Sequence, residues 1–173
     1  MRSLLVVMPT YNERVNLESV VAGILAHDFA RVLVVDDASP DGTGELADAL
    51  AAQHPGRVEV LHRTGPRGLG RSYVDGLRHA LASDAETICQ MDADLSHDPA
   101  YLPDLAAALD HYDLVIGSRY LNGVSVVNWP LHRIFLSAFA NRYIRFITGL
   151  SPNDCTSAYR AWRRDALARL PLG

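Results

Sequence analysis

Short apolar runs alternate with longer amphipathic segments between residues 3 and 116. The first run, residues 3–8, is continuously apolar after Ser3 and ends at Pro9, as is typical of a strand buried on both faces of a parallel sheet. Apolar residues at helical spacing follow in residues 17–25. The unit recurs, with predicted strands at 31–35, 58–61, 87–91 and 114–116 and predicted helices at 43–53, 72–81 and 99–109. This alternation implies right-handed crossovers and predicts an open, mostly parallel, Rossmann-like α/β sheet with helices on both faces.

Polar clusters directly follow four of the predicted strands, at residues 10–14, 36–41, 92–97 and 117–120. Ligands of such sheets bind beyond the carboxyl ends of the strands. We therefore expect the four loops to converge on one crevice.

Composition excludes several classes of protein. With 173 residues and 49% hydrophobic content, the chain is expected to form one domain over residues 1–173. The net charge of −4 argues against a nucleic-acid partner. Cys89 and Cys155 have no metal-ligand spacing, which favours a reducing, cytoplasmic location. Neither a signal peptide nor a run of roughly 20 apolar residues is present, so membrane contact is expected at the surface or through sequence outside this chain.

The character of the sequence changes after Asn122. A predicted helix over residues 131–148 follows a loop containing Trp129, and a polar loop and a short helical stretch close the chain. We interpret residues 1–122 as one functional half and residues 123–173 as a second.

Two carboxylates close the fourth predicted strand. Residues two apart in an extended segment point the same way, so Asp92 and Asp94 could face one cation. Their hard oxygen ligands suit Mg²⁺ or Mn²⁺, which would neutralise a diphosphate leaving group. The alternative is that both acids only cap the next helix.

The loops after the first two strands hold further candidates. Asp41 and Gly42 are expected to form a turn, which leaves Asp37 as the better candidate for a ligand contact. Pro9, Tyr11 and Glu13 lie where a base or ribose could be held, although Glu13 could also be a solvated acid at a helix entry. A third, glycine-rich loop at residues 65–70 lacks both the phosphate-loop ending and the dinucleotide fingerprint, and is expected to form a tight turn near the ligand.

Together these segments resemble a known family. PTYNE, VVDDASPDGT, GLGR, MDADLSHDP, GSRY, NWPLHR with the following Ser137, and DCTSAYRAW are similar to the successive motifs of the dolichol-phosphate (polyprenyl-phosphate) mannose synthases, which are family-two inverting glycosyltransferases. The resemblance covers nearly the whole chain and implies a nucleotide-sugar-binding fold of the GT-A type. It also implies that the chain is truncated at its C-terminus, so that a non-catalytic nucleotide-sugar-binding module is an alternative.

The resemblance assigns roles to particular residues. It implies that Asp92 and Asp94 bind the metal and that Asp94, Arg119 and Arg133 are catalytic. It implies a donor site formed by Pro9, Tyr11, Glu13, Val35, Asp37, Asp92, Ala93, Asp94 and Arg119.

On the acceptor side, Arg119, Arg133 and Ser137 match the family's phosphate ligands. A lipid monophosphate is largely dianionic at neutral pH, so it needs positioning rather than a general base, and arginine offers paired donors to phosphate oxygens. The alternative for each arginine is a surface ion pair.

The function implied is transfer of mannose, with inversion, from GDP-mannose to a polyprenyl monophosphate on the cytosolic face of a membrane. A UDP-glucose-dependent glucosyltransferase of the same fold is the main alternative. An aromatic stripe of Phe135, Phe139, Tyr143 and Phe146, beside Arg142 and Arg145, predicts a helix lying at the membrane surface. The competing interpretation places Phe135 and Phe139 in the core.

Overall fold

The computed structural model describes residues 2–118, 131–149, 152 and 154–172, with the backbone alone for residues 131–138. Its strands are β1 (Leu4–Thr10), β2 (Ala30–Asp36), β3 (Val58–His62), β4 (Thr87–Gln90), β5 (Leu114–Ile116) and β6 (Arg160–Arg163). Its helices are α1 (Arg14–Leu25), α2 (Thr43–Gln53), α3 (Leu69–Ala82), α4 (Leu102–Ala108), α5 (Leu131–Thr148) and α6 (Arg164–Leu167), with a 3-10 turn at Pro99–Tyr101. The predicted boundary at residues 122–123 and the loop around Trp129 lie outside the described residues.

The six strands form one sheet in the order β3-β2-β1-β4-β6-β5. Strand β1 pairs in parallel with β2 and β4, and β2 pairs in parallel with β3. Strand β6 runs antiparallel between β4 and β5. The prediction of an open, mostly parallel sheet is confirmed, and the loops after β1, β2, β3 and β4 end at the same edge.

Strand β6 is the element that the sequence did not predict. It has four residues, and two of them are Arg160 and Arg163, a residue type that is more common at the surface than in a buried strand. The strand exists because it pairs with a distant segment: Trp162 lies opposite Ile88, and Ala161 lies opposite Cys89. A run this short carries no periodic signal of its own, so only the tertiary pairing defines it.

Helices cover both faces of the sheet, as predicted. Every residue of β1 is buried, because alternate side chains enter opposite layers. Leu4, Val6 and Met8 pack in the layer that holds buried residues of α1, α2 and α4. Leu5 and Val7 pack in the layer that holds buried residues of α3 and α6.

Helix α3 lies unusually close to the sheet. A Cβ atom added at Gly76 would lie 2.5 Å from Val7 Cγ1 and 2.8 Å from Val35 Cγ2, which is closer than side-chain atoms pack. Glycine at this position therefore permits the approach of α3 to β1 and β2. The same helix begins at Leu69, inside the glycine-rich segment 65–70 that was predicted to be a turn, so its first turns lie at the ligand-binding edge of the sheet.

Helix α5 exposes a row of large apolar side chains. Phe139 is 67% exposed and Phe146 is 84% exposed, and Tyr143 and Ile147 are also exposed. The core interpretation is therefore wrong for Phe139, while the side chain of Phe135 lies outside the described residues. No helix in the described part of the chain is long and apolar enough to cross a membrane.

Candidate active site

A cleft of about 520 Å³ opens at the carboxyl ends of the strands. Its lining comes from the loops after β1, β2, β3 and β4, so it includes members of the predicted clusters 10–14, 36–41 and 92–97 and of the glycine-rich segment after β3. The lining residues are Pro9, Thr10, Tyr11, Glu13, Asp37, Arg67, Gly68, Leu69, Ser72, Asp92, Ala93 and Asp94. Of the four predicted polar clusters, the one at residues 117–120 lies only partly within the described residues.

The turn that closes the β2 loop is built by Asp41 and Gly42. Asp41 Oδ1 accepts hydrogen bonds from the Thr43 hydroxyl at 2.6 Å and from the Thr43 backbone N–H at 3.0 Å. The hydrogen bond from the Thr43 side chain lowers the pKa of Asp41. Gly42 has a φ of 86°, which favours glycine. The predicted turn role of these two residues is confirmed.

Asp36, the last residue of β2, is buried and accepts hydrogen bonds from the loop that follows it and from β1. Its Oδ1 accepts hydrogen bonds from the Ser39 hydroxyl at 2.6 Å and from the Thr10 hydroxyl at 3.3 Å. The Ser39 backbone N–H donates to its Oδ2 at 3.2 Å. These contacts satisfy the carboxylate and join the ends of β1 and β2.

Asp37 lines the cleft but is neutralised by a buried arginine. The Arg63 guanidinium forms an ion pair with Asp37 Oδ1, and both side chains are less than a tenth exposed. The Gly68 backbone N–H donates to Asp37 Oδ2 at 2.8 Å. Asp37 thereby ties the glycine-rich loop to the end of β2.

Arg63 is the centre of a wider network. Its Nε donates to Asp75 Oδ2 at 2.7 Å, and other guanidinium nitrogens donate to the Ser72 hydroxyl at 3.3 Å and the Pro66 carbonyl at 3.2 Å. The hydrogen bond to Asp75 and the charge of Asp37 raise the pKa of Arg63. Arg63 was not predicted as a site residue, because an arginine two residues after the predicted strand 58–61 does not by itself indicate a buried ion pair.

Asp92 stands at the end of β4 with one oxygen held by a phenol. Tyr73, on α3, donates its hydroxyl to Asp92 Oδ1 at 2.6 Å. Burial raises the pKa of Tyr73, and the charge of Asp92 raises it further, so this hydroxyl keeps its proton. The Asp92 backbone N–H donates to His97 Nδ1 at 3.0 Å, while His97 Nε2 lies 3.9 Å from Asp92 Oδ2, beyond hydrogen-bond distance.

Asp94 is exposed at the mouth of the same cleft. Its Oδ1 accepts a hydrogen bond from the Ser96 backbone N–H at 3.0 Å. No group of three or more metal-ligating side chains occurs in the part of the chain that the structure describes. Two carboxylates nevertheless fit Mg²⁺ or Mn²⁺, because these ions keep several waters and share one or two carboxylates with substrate phosphates. The donor set therefore suits an ion that arrives with a diphosphate.

Arg67 and Tyr11 form a pair that the sequence did not predict. The Arg67 guanidinium carbon lies 4.8 Å from the centre of the Tyr11 ring, and its Nη1 donates to the Tyr11 hydroxyl at 2.7 Å. Both side chains line the cleft. The contact joins the glycine-rich loop to the loop after β1.

Known proteins resemble this chain over nearly its whole length. A family model described as "Glycosyl transferase family 2" matches residues 5–170. The chain belongs to glycosyltransferase family 2. It is 48% identical to "Polyprenol monophosphomannose synthase" of Mycolicibacterium smegmatis, over 97% of this chain and 64% of that protein. It is 45% identical to "Undecaprenyl-phosphate mannosyltransferase" of Micrococcus luteus, over 98% of this chain and 70% of that protein. The family resemblance is confirmed, and the chain spans 64% and 70% of these two relatives.

Solved structures of glycosyltransferases share the fold. The mannosyltransferase PcManGT from Pyrobaculum calidifontis, in complex with GDP-Man and Mn²⁺, matches with a TM-score of 0.67 and 24% identity over 99% of this chain and 48% of that chain. Glucosyl-3-phosphoglycerate synthase from Mycobacterium tuberculosis, with Mn²⁺ and UDP, matches with a TM-score of 0.62 and 22% identity over 95% of this chain and 57% of that chain. The predicted GT-A-type fold is therefore confirmed.

Most of the candidate donor residues of this family-two chain lie together. The cleft is lined by Pro9, Tyr11, Glu13, Asp37, Asp92, Ala93 and Asp94. Val35 differs, because its side chain is fully buried in the layer under α3 and does not reach the cleft. Arg119 lies outside the described residues. Arg133 and Ser137 lie on α5, but their side chains are outside the described part of the chain.

Proposed function

We propose that this chain transfers mannose, with inversion, from GDP-mannose to a polyprenyl monophosphate. The observation that carries the proposal is the single cleft in which Asp92 and Asp94 face the same space as Tyr11, Glu13 and Asp37. The named activities of the two relatives support mannose and a polyprenyl phosphate, and the complex of PcManGT supports GDP-mannose as donor.

In this proposal the cleft binds the donor. Its volume of about 520 Å³ falls within the range of roughly 300–1,000 Å³ that is usual for small-molecule sites. Pro9, Tyr11, Glu13 and Asp37 hold the nucleotide, and Val35 contributes through its backbone because its side chain is in the core. The contacts with Arg63 and Gly68 fix the orientation of the Asp37 carboxylate before the nucleotide binds.

Asp92 and Asp94 hold Mg²⁺ or Mn²⁺ with the donor diphosphate, and Ala93 lines the same site. When bound, the ion neutralises charge on the departing GDP. Asp94 is the better exposed of the two carboxylates, and we assign it a catalytic role as metal ligand. Ser96 holds Asp94 through its backbone N–H.

Arg119, Arg133 and Ser137 bind the phosphate of the acceptor. The lipid phosphate is dianionic at neutral pH, so these residues position it rather than deprotonate it. Its oxygen attacks the anomeric carbon as the bond to GDP breaks, giving polyprenyl-phosphate β-mannose. In this proposal Arg119 also binds the donor and, with Arg133, stabilises the charge of the departing diphosphate.

Helix α5 brings the second half of the chain, residues 123–173, to the cytosolic face of the membrane. Phe139 and Tyr143 stack with ring centres 6.4 Å apart, and Phe146 is exposed near them. Arg142 and Arg145 are exposed on the same helix. Aromatic rings at the headgroup boundary with arginines on anionic phosphates are typical of a helix at a membrane surface.

Two measurements on this chain test the donor and the transfer. In thermal-shift titrations with Mn²⁺, we expect GDP-mannose to raise the melting temperature more than UDP-glucose, because a ligand bound to the native state stabilises it. With labelled GDP-mannose and undecaprenyl phosphate, we expect label in the lipid fraction. A larger shift with UDP-glucose favours the glucosyltransferase, and donor binding without transfer favours a binding module.

Hydrogen exchange tests the membrane role of α5. On vesicles that contain polyprenyl phosphate and anionic lipid, we expect new protection concentrated in residues 131–148. Replacing Phe146 with Glu should reduce vesicle binding, while replacing Tyr112, exposed elsewhere on the chain, with Glu should not. Equal protection of residues 131–148 with and without vesicles would remove α5 from the membrane contact.

A further inference from the structure

We infer that Tyr73 is a positioning residue that orients the Asp92 carboxylate for the metal ion. The inference rests on the proposed metal role of Asp92 and goes further by naming the group that fixes its geometry. Tyr73 itself is not a ligand of the ion, and it acts only through the hydrogen bond to Asp92.

The two oxygens of Asp92 have different surroundings. Oδ1 accepts the Tyr73 hydroxyl at 2.6 Å, which is a short bond to a charged acceptor. Oδ2 lies 3.9 Å from His97 Nε2 and makes no hydrogen bond within the part of the chain that the structure describes. The phenol therefore fixes the plane of the carboxylate and leaves Oδ2 to a cation in the cleft.

His97 is a second side chain near the Asp92 carboxylate, and its contacts show that it does not hold the carboxylate by a hydrogen bond. The Asp92 backbone N–H donates to His97 Nδ1, so a neutral His97 carries its proton on Nε2. That nitrogen is a donor and is not available as a metal ligand. His97 also stacks on Tyr159, with ring centres 4.9 Å apart, which holds the imidazole in place. Among the residues that the structure describes, Tyr73 is the side chain that hydrogen-bonds the Asp92 carboxylate.

Tyr73 lies on helix α3, which is packed tightly against the sheet. It is 8% exposed and belongs to the buried layer of α3. Gly76, one turn further along α3, lets the helix sit directly on Val7 and Val35. Since α3 cannot shift without disturbing this contact, the hydroxyl of Tyr73 has a fixed position relative to β4.

Groups that orient a metal ligand contribute strongly to metal affinity, because a ligand free to rotate must be ordered when the ion binds. Their loss typically lowers metal affinity about 10- to 100-fold. Tyr73→Phe removes the hydroxyl and keeps the ring in the core, so it isolates the orienting bond from the packing of the side chain.

The test is calorimetric titration of GDP into the whole chain, with Mn²⁺ or with chelator. We expect Tyr73→Phe to weaken Mn²⁺-dependent GDP binding about tenfold and to leave binding in chelator unchanged. Tyr159→Phe is the matched control, because it also removes a buried hydroxyl, which donates to the Asp98 carbonyl at 3.0 Å. This control should bind Mn²⁺ and GDP as the unaltered chain does.

A double-mutant cycle shows whether Tyr73 acts through Asp92. In an Asp92→Asn background, Tyr73→Phe should add little to the loss of Mn²⁺-dependent binding. An undiminished effect in that background would overturn the inference, as would wild-type metal dependence in Tyr73→Phe itself. If GDP binding by the unaltered chain does not depend on Mn²⁺, the proposed metal function fails, and the inference fails with it.

Discussion

Two acidic pairs follow strands of the same sheet, and they have opposite fates. Asp36 and Asp37 follow β2 and are buried, with their oxygens bonded to Ser39, Arg63 and other partners inside the protein. The second pair follows β4 and lines the open cleft, where Asp94 is exposed. Two similar acidic sequences at the same edge of the sheet therefore differ in role. The Asp36–Asp37 pair holds loops together, and the Asp92–Asp94 pair is a candidate metal site.

The difference lies in what the neighbouring strand supplies. Strand β3 ends next to β2 and places Arg63 against Asp37, so the charge of Asp37 is compensated inside the protein. Strand β4 has β1 on one side and β6 on the other, and the group that reaches Asp92 from α3 is the neutral Tyr73. A carboxylate bonded to a neutral hydroxyl keeps its negative charge uncompensated, which is what a cation requires.

The largest expected effect on stability comes from removing the buried Arg63–Asp37 ion pair. Arg63→Met should lower the free energy of unfolding by about 3 kcal/mol, because it leaves the Asp37 carboxylate buried without its charge partner. Urea denaturation followed by circular dichroism measures the change. Asp94→Asn is the matched control, since an exposed side chain should alter stability by less than about 0.5 kcal/mol.

A second variant keeps this test decisive even if Arg63→Met folds poorly. Adding Asp37→Asn to Arg63→Met removes both buried charges and should recover part of the lost stability. If the double variant is less stable than Arg63→Met alone, the ion pair is not what stabilises this loop.

The next effect concerns α3, because its Tyr73 bonds Asp92 and the residue before the helix, Gly68, bonds Asp37. Gly76→Ala should destabilise the chain by about 1–3 kcal/mol, because the added methyl group overlaps Val7 and Val35. Thermal unfolding measures it. Gly70→Ala on the same helix meets no atom within 4 Å and should be neutral or slightly stabilising. Equal melting temperatures for the two variants would mean that α3 does not need the close approach.

The smallest effect compares two serines at similar places in the two loops. Ser39→Ala should cost about 1 kcal/mol, because the hydroxyl donates to buried Asp36 and accepts the Asn12 backbone N–H. Ser96→Ala should change the free energy of unfolding by less than about 0.5 kcal/mol, since Ser96 is exposed and holds Asp94 through its backbone. Equal losses of unfolding free energy in urea titrations would show that the two serine side chains stabilise their loops to the same extent.

Much of the fold could be predicted from the sequence, because short, mostly apolar runs mark the early strands and apolar residues at helical spacing mark the helices between them. The predicted strand at 114–116 coincides with β5, and the predicted helix at 43–53 coincides with α2. Strand β6 could not be predicted, because it depends on pairing with β4, far away in the chain.

The site was predictable in its location and partly in its members. Loops after parallel strands had to converge, so the cleft contains Tyr11, Asp37, Asp92 and Asp94. The contacts that separate the two acidic pairs were not predictable, because they join residues 26 positions apart, as in Arg63–Asp37, or 19 positions apart, as in Tyr73–Asp92. No local pattern encodes such a contact.

In the proposed function, the Asp92–Asp94 pair supplies the metal-dependent part of donor binding. Calorimetric titration of GDP-mannose, with Mn²⁺ or with chelator, tests it on the unaltered chain, on Asp94→Asn and on the control Asp98→Asn, whose exposed acid caps the Pro99–Tyr101 turn. Chelation should weaken binding by the unaltered chain and by the control at least about tenfold, and Asp94→Asn should bind at the chelated level in both conditions. Equal affinity of the unaltered chain with Mn²⁺ and with chelator would show that donor binding does not depend on a metal ion at Asp92 and Asp94.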